Sequence, residues 1–328
     1  MPRVFVSRAI PKIGIELLRK NKFQLKVSPY ARALKKKELV KMAKGSDALL
    51  CLLTDKIDSS VLDGIGPQLK IVANYAVGYD NIDLAACRKR GIKVSNTPGV
   101  LTDGVAEHTL ALMLALSKRL VEADHFMRKG KYKGWSPDLL IGKQVGGKVL
   151  GIVGLGRIGK KLAQMAVEGF SMKVLYTDRF KDKKFEKKYQ ARKVGLDFLL
   201  KQSDFVTLHV PLLPSTRYLI DEKKIALMKK EAFLINTARG PVVKEKALYS
   251  ALLKNKIAGA ALDVFECEPE LTCQKTMRSK VRQLDNLIVT PHIASASFET
   301  RSAMSELAAQ NIMAYFKGRK LPSEVEVK

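Results

Sequence analysis

Cysteine is scarce: the 328 residues hold four, Cys51, Cys87, Cys267 and Cys273, with no CxxC pair and no zinc-ligand spacing. That excludes a disulfide-built scaffold and a structural zinc module, and the four read as reduced thiols of a cytoplasmic protein. No apolar run is long enough for a membrane span. The richest, LALMLAL at 110–116, falls well short. The amino-terminal MPRVFVSRAIPKIG alternates and contains Pro11, so it reads as a strand and turn and not as a secretory signal. HExxH, GxSxG and the P-loop pattern are absent, which removes zinc-protease, serine-hydrolase and P-loop chemistry; no metal site is expected. Acidic residues are few: 32 Asp and Glu stand against 59 Lys and Arg, for a net charge of +27. The lysines lie in short groups such as LKKKELVKMAKG and RFKDKKFEKKYQ, which alternate with apolar residues at helix spacing or occupy turns. They read as a solvated surface. No nucleic-acid motif accompanies them and tryptophan occurs once, so a nucleic-acid partner is not expected. A positive field of this size favours the approach of small anions.

The length suggests two domains, and 46% hydrophobic residues suffice for their cores. The first hundred residues alternate short apolar runs (Val4–Val6, Leu49–Leu53, Ile71–Ala73, Ile92–Val94) with helical segments, the pattern of a parallel α/β domain. A long helix starts near Leu101. The stretch KVLGIVGLGRIGKKLAQ follows at 148–164. Its glycines Gly154, Gly156 and Gly159 stand as G-x-G-x-x-G between an apolar strand and a helix in which Ile158, Leu162, Met165 and Ala166 recur at helical spacing. In such a turn Gly154 permits the sharp bend, Gly156 lets the backbone approach a pyrophosphate, and Gly159 lets helix and strand pack closely. The helix N-terminus offers its free N–H groups to the phosphates. A second strand, MKVLYTD, ends at Asp178, about 20 residues beyond the glycines, where a carboxylate accepts the ribose hydroxyls. Asp178 repels a 2′-phosphate and so favours NAD over NADP, a bias that Arg179 beside it softens. Strands then recur at Phe205–Leu208, Ala232–Ile235, Ile257–Leu262 and Leu287–Val289, and a last helix spans 298–316. The fingerprint marks the first strand of a Rossmann sheet, so this domain begins mid-chain and a separate domain precedes it.

Three segments past the fingerprint carry chemistry: FLINTARGPVV with Arg239, AALDVFECEPE with Asp263 and Glu268, and IVTPHIASAS with His292. Each functional residue stands just beyond a strand, where open α/β sheets bind ligands. Arginine holds a carboxylate bidentately, histidine donates a proton near neutral pH, and an acid beside it favours the charged imidazole. Together they fit the reduction of a 2-keto acid. His108 and His125 lie in helical stretches and are assigned to packing or surface; His209, after a strand, is placed in the cofactor cleft.

The stretches NYAVGYDNIDL, NTPGVLTDGVAEHTLALML, GIVGLGRIG, HVPLLPSTRYLI, INTARGPVV, GAALDVFECEP and TPHIAS, in this order along nearly the whole chain, resemble the D-isomer-specific 2-hydroxyacid dehydrogenases. The resemblance implies two doubly wound α/β domains: a Rossmann NAD-binding domain, 101–286, inserted into a flavodoxin-like substrate-binding domain made of 1–100 and 287–328. It implies that Arg239, Glu268 and His292 are catalytic. Thr102, Gly154, Gly156, Arg157, Ile158, Gly159, Asp178, His209, Pro211, Thr237, Ala238, Asp263 and His292 are implied at the cofactor. Leu53, Val77, Gly78 and Arg239 are implied at the substrate, together with Trp135 contributed by the other subunit of a homodimer. Within the family the opening VFVSRAIPKIGIELL, the loop ANYAVGYDNID and GWSPDLLIG look like those of glyoxylate/hydroxypyruvate reductases. Phosphoglycerate dehydrogenases and the NAD-dependent corepressor scaffolds share the trio and stand as alternatives. The stretch LTCQKTMRSKVRQLDN after Glu268 departs from the family pattern in being longer and more basic. Asp178 departs from reductases that use NADPH, and the residue is followed here in expecting NAD.

Overall fold

The computed structural model describes residues 1–268 and 284–326. The basic stretch from Leu271 lies almost wholly outside these residues, as does Cys273. The chain divides into two compact units, one of Met1–Leu101 with Ala296–Lys328, the other of Thr102–Ser295.

In the first unit, β1 (Arg3–Val6), α1 (Lys12–Lys20), β2 (Gln24–Val27), α2 (Lys36–Ala43), β3 (Ala48–Leu52), α3 (Ser59–Ile65), β4 (Ile71–Tyr75), α4 (Leu84–Lys89) and β5 (Lys93–Ser95) alternate regularly. The strands pair in parallel in the order β2-β1-β3-β4-β5, the flavodoxin-like order. Its central strands are continuous apolar runs because helices cover both faces: every residue of β4 is buried. Asp58 and Asp83 cap α3 and α4 by accepting the N–H groups of Val61 and Ala86. The last helix, α12 (Phe298–Phe316), packs on α1. The crossing is close: a Cβ on Gly14 would stand 2.2 Å from the carbonyl oxygen of Ser305, and Gly14 N–H donates to Ser305 Oγ at 3.2 Å.

The second unit opens with α5 (Thr102–Ser117) and α6 (Leu120–Arg128). It continues with β6 (Val149–Val153), α7 (Arg157–Phe170), β7 (Lys173–Thr177), α8 (Lys183–Tyr189), β8 (Arg192–Lys193), α9 (Leu196–Gln202), β9 (Phe205–Leu208), α10 (Glu222–Ile225), β10 (Phe233–Asn236), α11 (Glu245–Leu253), β11 (Gly259–Leu262) and β12 (Leu287–Val289). All seven strands run parallel, in the order β12-β11-β10-β9-β6-β7-β8. Counted from β6 this is the Rossmann order with one further strand, and the order reverses between β6 and β9. Because β12 hydrogen-bonds to β11, residues 287–295 fall in this unit, whereas the sequence reading grouped them with the C-terminal helix. The apolar face of α7 (Leu162, Ala163, Ala166) and that of α5 (Leu112, Met113, Leu116) share one core on the sheet.

Cys51 and Cys87 are free and buried; burial pushes the Cys87 thiol up to about 11, which keeps it unreactive. Cys267 is disulfide-bonded, so the expectation of four reduced thiols does not hold. Among the described residues no helix is long and apolar enough to cross a membrane, and no cluster of His, Cys, Asp and Glu is arranged to hold a metal ion.

Candidate active site

The glycine turn leaves β6 with Gly154 at a φ of 97°. A Cβ there would stand 2.8 Å from the carbonyl oxygen of His209, and one on Gly159 would stand 2.4 Å from that of Gly154. Both glycines are therefore required by close approach of backbone. Gly156 caps α7, and its Cβ would meet nothing within 4 Å: the space in front of the helix N-terminus, flanked by Arg157 and Ile158, is open. Asp178 follows β7 and turns back to the turn, accepting Leu155 N–H at 2.8 Å and Phe180 N–H at 3.2 Å. His209 follows β9 on the other side of the switch point. Its Nε2 is buried with no partner among the described residues, and burial pushes the imidazole down to about 4, so the ring is neutral at physiological pH. An open helix N-terminus, a carboxylate at the second strand and an unsatisfied buried imidazole nitrogen are what a bound dinucleotide would satisfy. Pro211 lies two residues beyond His209, its carbonyl accepting from Thr216 Oγ1 at 2.6 Å. Thr102 is the first residue of α5.

At the carboxyl ends of the adjacent strands β10, β11 and β12 stand the three residues expected to react. Arg239 follows β10 and opens a short 3-10 turn, Gly240–Val242; its Nη1 donates to Ala238 O at 2.9 Å. Ala238 N–H in turn donates to Asn236 Oδ1 at 3.1 Å, and Thr237 Oγ1 lies 3.0 Å from Thr109 Oγ1. Glu268 follows β11; its Oε1 accepts Phe265 N–H at 3.0 Å and its Oε2 lies 2.6 Å from His292 Nδ1. This pair is about one quarter exposed (24% for His292, 21% for Glu268). With Nδ1 turned to Glu268, Nε2 is the nitrogen left to face a ligand.

His292 adopts a φ of 55°, the left-handed region that a non-glycine residue occupies at a cost. Asp263 holds it there. Wholly buried, its carboxylate accepts from Thr290 Oγ1 at 2.6 Å and from the N–H groups of Ile293 and Ala294, both at 2.8 Å. Its carbonyl accepts His292 N–H at 2.9 Å. Burial acts to raise the Asp263 pKa, but hydrogen bonds from His108, Thr290 and two backbone amides outweigh it and hold the carboxyl below its ordinary value. Asp263, expected at the nicotinamide end, thus spends both carboxylate oxygens inside the protein, on the loop that carries His292.

Several residues escaped the sequence reading. His108 is not a mere packing residue: its Nε2 lies 3.3 Å from Thr290 Oγ1 and 3.6 Å from Asp263 Oδ1. His125 is exposed, the surface half of its assignment to packing or surface. Gly240 is pressed so close to the loop after β11 that a Cβ would fall 1.9 Å from Phe265 C. Glu245 and Glu266 bind each other's backbone. No local pattern marks these residues; their partners are set by which strands the sheet makes neighbours.

The remaining candidates lie elsewhere. In the first unit Leu53 follows β3 and the Val77–Gly78 loop follows β4. The carbonyls of Val77 and Gly78 accept from Asn96 Nδ2 at 2.7 Å and Asn74 Nδ2 at 2.8 Å, and no described residue takes their N–H groups. Trp135 stands 82% exposed, in a segment without regular structure between α6 and β6. A pocket lined by Arg119, Lys143, Phe233 and Asp285 sits at the amino ends of the strands, the opposite edge from His292.

The model of the D-isomer specific 2-hydroxyacid dehydrogenase NAD-binding domain matches residues 110–294. The chain belongs to the D-isomer-specific 2-hydroxyacid dehydrogenases. It is 46% identical over 325 residues to a glyoxylate reductase of Korarchaeum cryptofilum, covering 99% of this chain and 96% of the relative. A Thermus thermophilus protein of solved structure is 39% identical with a TM-score of 0.90, covering 99% of this chain and all of that one. An NADPH-dependent glyoxylate/hydroxypyruvate reductase of Sinorhizobium meliloti, solved with citrate, is 31% identical with a TM-score of 0.85, over 99% and 98% of the two chains. The chain is thus an oxidoreductase of 2-hydroxy acids that uses a nicotinamide cofactor.

Proposed function

We propose that this dehydrogenase reduces a small 2-keto acid, glyoxylate or hydroxypyruvate, with NADH. The observation that carries the reaction is the 2.6 Å Glu268–His292 pair, formed past β11 and β12 next to the strand β10 that Arg239 follows; the likeness to glyoxylate reductases over the whole chain supports the substrate class. Arg239 binds the carboxylate and polarises the carbonyl. Glu268 holds the protonated imidazole at Nδ1, and His292 delivers the proton from Nε2 to the carbonyl oxygen. The cofactor, when bound, supplies the hydride for the carbonyl carbon. Gly154, Gly156, Gly159, Arg157 and Ile158 would hold its pyrophosphate, Asp178 its ribose, and Thr102, His209, Pro211, Thr237 and Ala238 its remaining length. Asp178 favours NAD, because a carboxylate there repels a 2′-phosphate.

The reading also assigns Leu53, Val77 and Gly78 of the first unit to the substrate and makes the protein a cytoplasmic homodimer. Leu120, Val121, Met127, Tyr132, Trp135, Leu139 and Ile141 are all exposed, so this stretch offers several apolar side chains to a second copy. The partner subunit's Trp135 would then close the substrate pocket.

Initial rates with glyoxylate, hydroxypyruvate, pyruvate and phosphohydroxypyruvate, each with NADH and NADPH, test the proposal. Fast turnover of one of the first two with NADH is expected, reduced about tenfold to a hundredfold in Arg239→Ala by loss of a charged hydrogen-bond pair. Preference for phosphohydroxypyruvate would instead identify a phosphoglycerate dehydrogenase. Tight NADH binding without turnover of any would favour the scaffold class.

A further inference from the structure

The acid of the reacting pair does not stand alone. Glu268 lies in the turn after β11, and the Phe265–Glu266 part of that turn is gripped from two directions. Gly240, next to Arg239, packs on Phe265 and Glu266 without room for a Cβ. From the other side Glu245, the first residue of α11, exchanges hydrogen bonds with Glu266. Glu245 N–H donates to Glu266 Oε1 at 2.7 Å, and Glu266 N–H donates to Glu245 Oε1 at 2.5 Å. The second oxygen of Glu245 accepts from Tyr249 Oη, one turn along the helix, at 3.3 Å. Glu245 is only 3% exposed, and among the described residues no cation pairs with it, which is unusual for a buried carboxyl.

We propose that Glu245 is a positioning residue for the reacting pair: its carboxyl fastens the loop that bears Glu268 and, when ionised, places negative charge behind the Glu268–His292 pair. This rests on the reading of His292 as the proton donor. Two consequences follow from the geometry. The clamp needs an acceptor at Glu245 Oε1, which a glutamine supplies as well as a glutamate. The charge needs ionisation, which a glutamine cannot provide. Burial first, then the negative charges of Glu266 and Glu268, push the Glu245 carboxyl up to about 7, against the pull of its bonds from Glu266 N–H and Tyr249. Among the described residues, the groups facing it are Glu266 and Glu268 from the loop after β11 and Tyr249 from its own helix. Lys244, the residue before it, turns its ammonium to Glu222 of α10 at 2.9 Å. Glu245 therefore changes charge near neutral pH. Above that midpoint its negative charge favours the protonated imidazole and extends reduction to higher pH.

The test is the pH profile of kcat/KM for 2-keto acid reduction by wild type, Glu245→Gln and Glu245→Ala, with NADH affinity measured alongside. In Glu245→Gln the acid-side plateau and NADH affinity should match wild type. The basic limb should fall about half a pH unit earlier, a loss of about threefold on that side, since one unit corresponds to tenfold. Glu245→Ala should lower kcat at every pH by releasing the loop, and Glu245→Gln should rescue that plateau. A Glu245→Gln profile superimposable on wild type, or one lowered evenly at all pH, would overturn the proposal. If wild type reduces none of the keto acids, the functional reading fails separately. The His292 imidazole proton resonance, titrated in wild type and Glu245→Gln, then decides: a midpoint moved to lower pH supports the coupling, and an unmoved one rejects it.

Discussion

His292 occupies a backbone conformation that costs about 1 kcal/mol or more for a non-glycine residue. It is kept there because Asp263 takes the hydroxyl and two N–H groups of the surrounding loop. That arrangement explains why the histidine, the acid that pairs with it and the buried acid that props the loop come from neighbouring strand ends. Asp178 plays a comparable double part. Its carboxylate ties the glycine turn to β7 and, in the proposed cofactor reading, presents negative charge where the 2′-phosphate of NADPH would sit. Asp178→Ala should therefore reduce the ratio of kcat/KM for NADH to that for NADPH by about tenfold, the worth of one charge-assisted hydrogen bond; a wild type that already prefers NADPH would contradict the assignment. The positions of Arg239, Glu268 and His292 past the ends of β10, β11 and β12 were legible in the sequence because each follows an apolar run. Gly240, Glu245 and His108 were not. Gly240 reads locally as an ordinary turn glycine, Glu245 as an ordinary helix-opening acid, and His108 as an ordinary helix residue. Their significance appears only when the sheet sets β10, β11 and β12 side by side.

At the scale of elements, the buried parallel strands were the most readable, since burial on both faces makes them continuous apolar runs. The strand Phe205–Leu208 and the helix Phe298–Phe316 stand at the residues expected. The edge strands were not readable: β2, QLKV, has no buried residue and β8 has two residues only, so neither carries an apolar signature. The return of α12 to the first unit also has a physical cause invisible in local pattern, the pairing of Gly14 with Ser305. Gly14→Val must push the two helices apart, because a Cβ there would overlap backbone. Chemical denaturation should show a loss of about 1–3 kcal/mol, the usual cost of overpacking; an unchanged midpoint would show that the crossing is looser than described.

At the scale of the molecule, the exposed apolar segment from Leu120 to Ile141 and the net charge of +27 are the features that the catalytic residues do not explain. The proposed second copy would cover the first. Light scattering should give twice the mass of the chain, and Trp135→Ala should raise KM for the keto acid while leaving NADH affinity in place; a monomer with full activity would remove the partner's tryptophan from the site. The second suits an anionic substrate, whose approach a positive field accelerates at low salt. The central claim, that His292 is the proton donor of a 2-keto acid reductase, is tested most directly by comparing glyoxylate reduction and NADH binding in wild type and His292→Ala. Turnover should fall about a hundredfold or more, the usual contribution of a general acid, while the NADH dissociation constant changes little. Equal losses of turnover and NADH affinity, or turnover that survives the substitution, would contradict it.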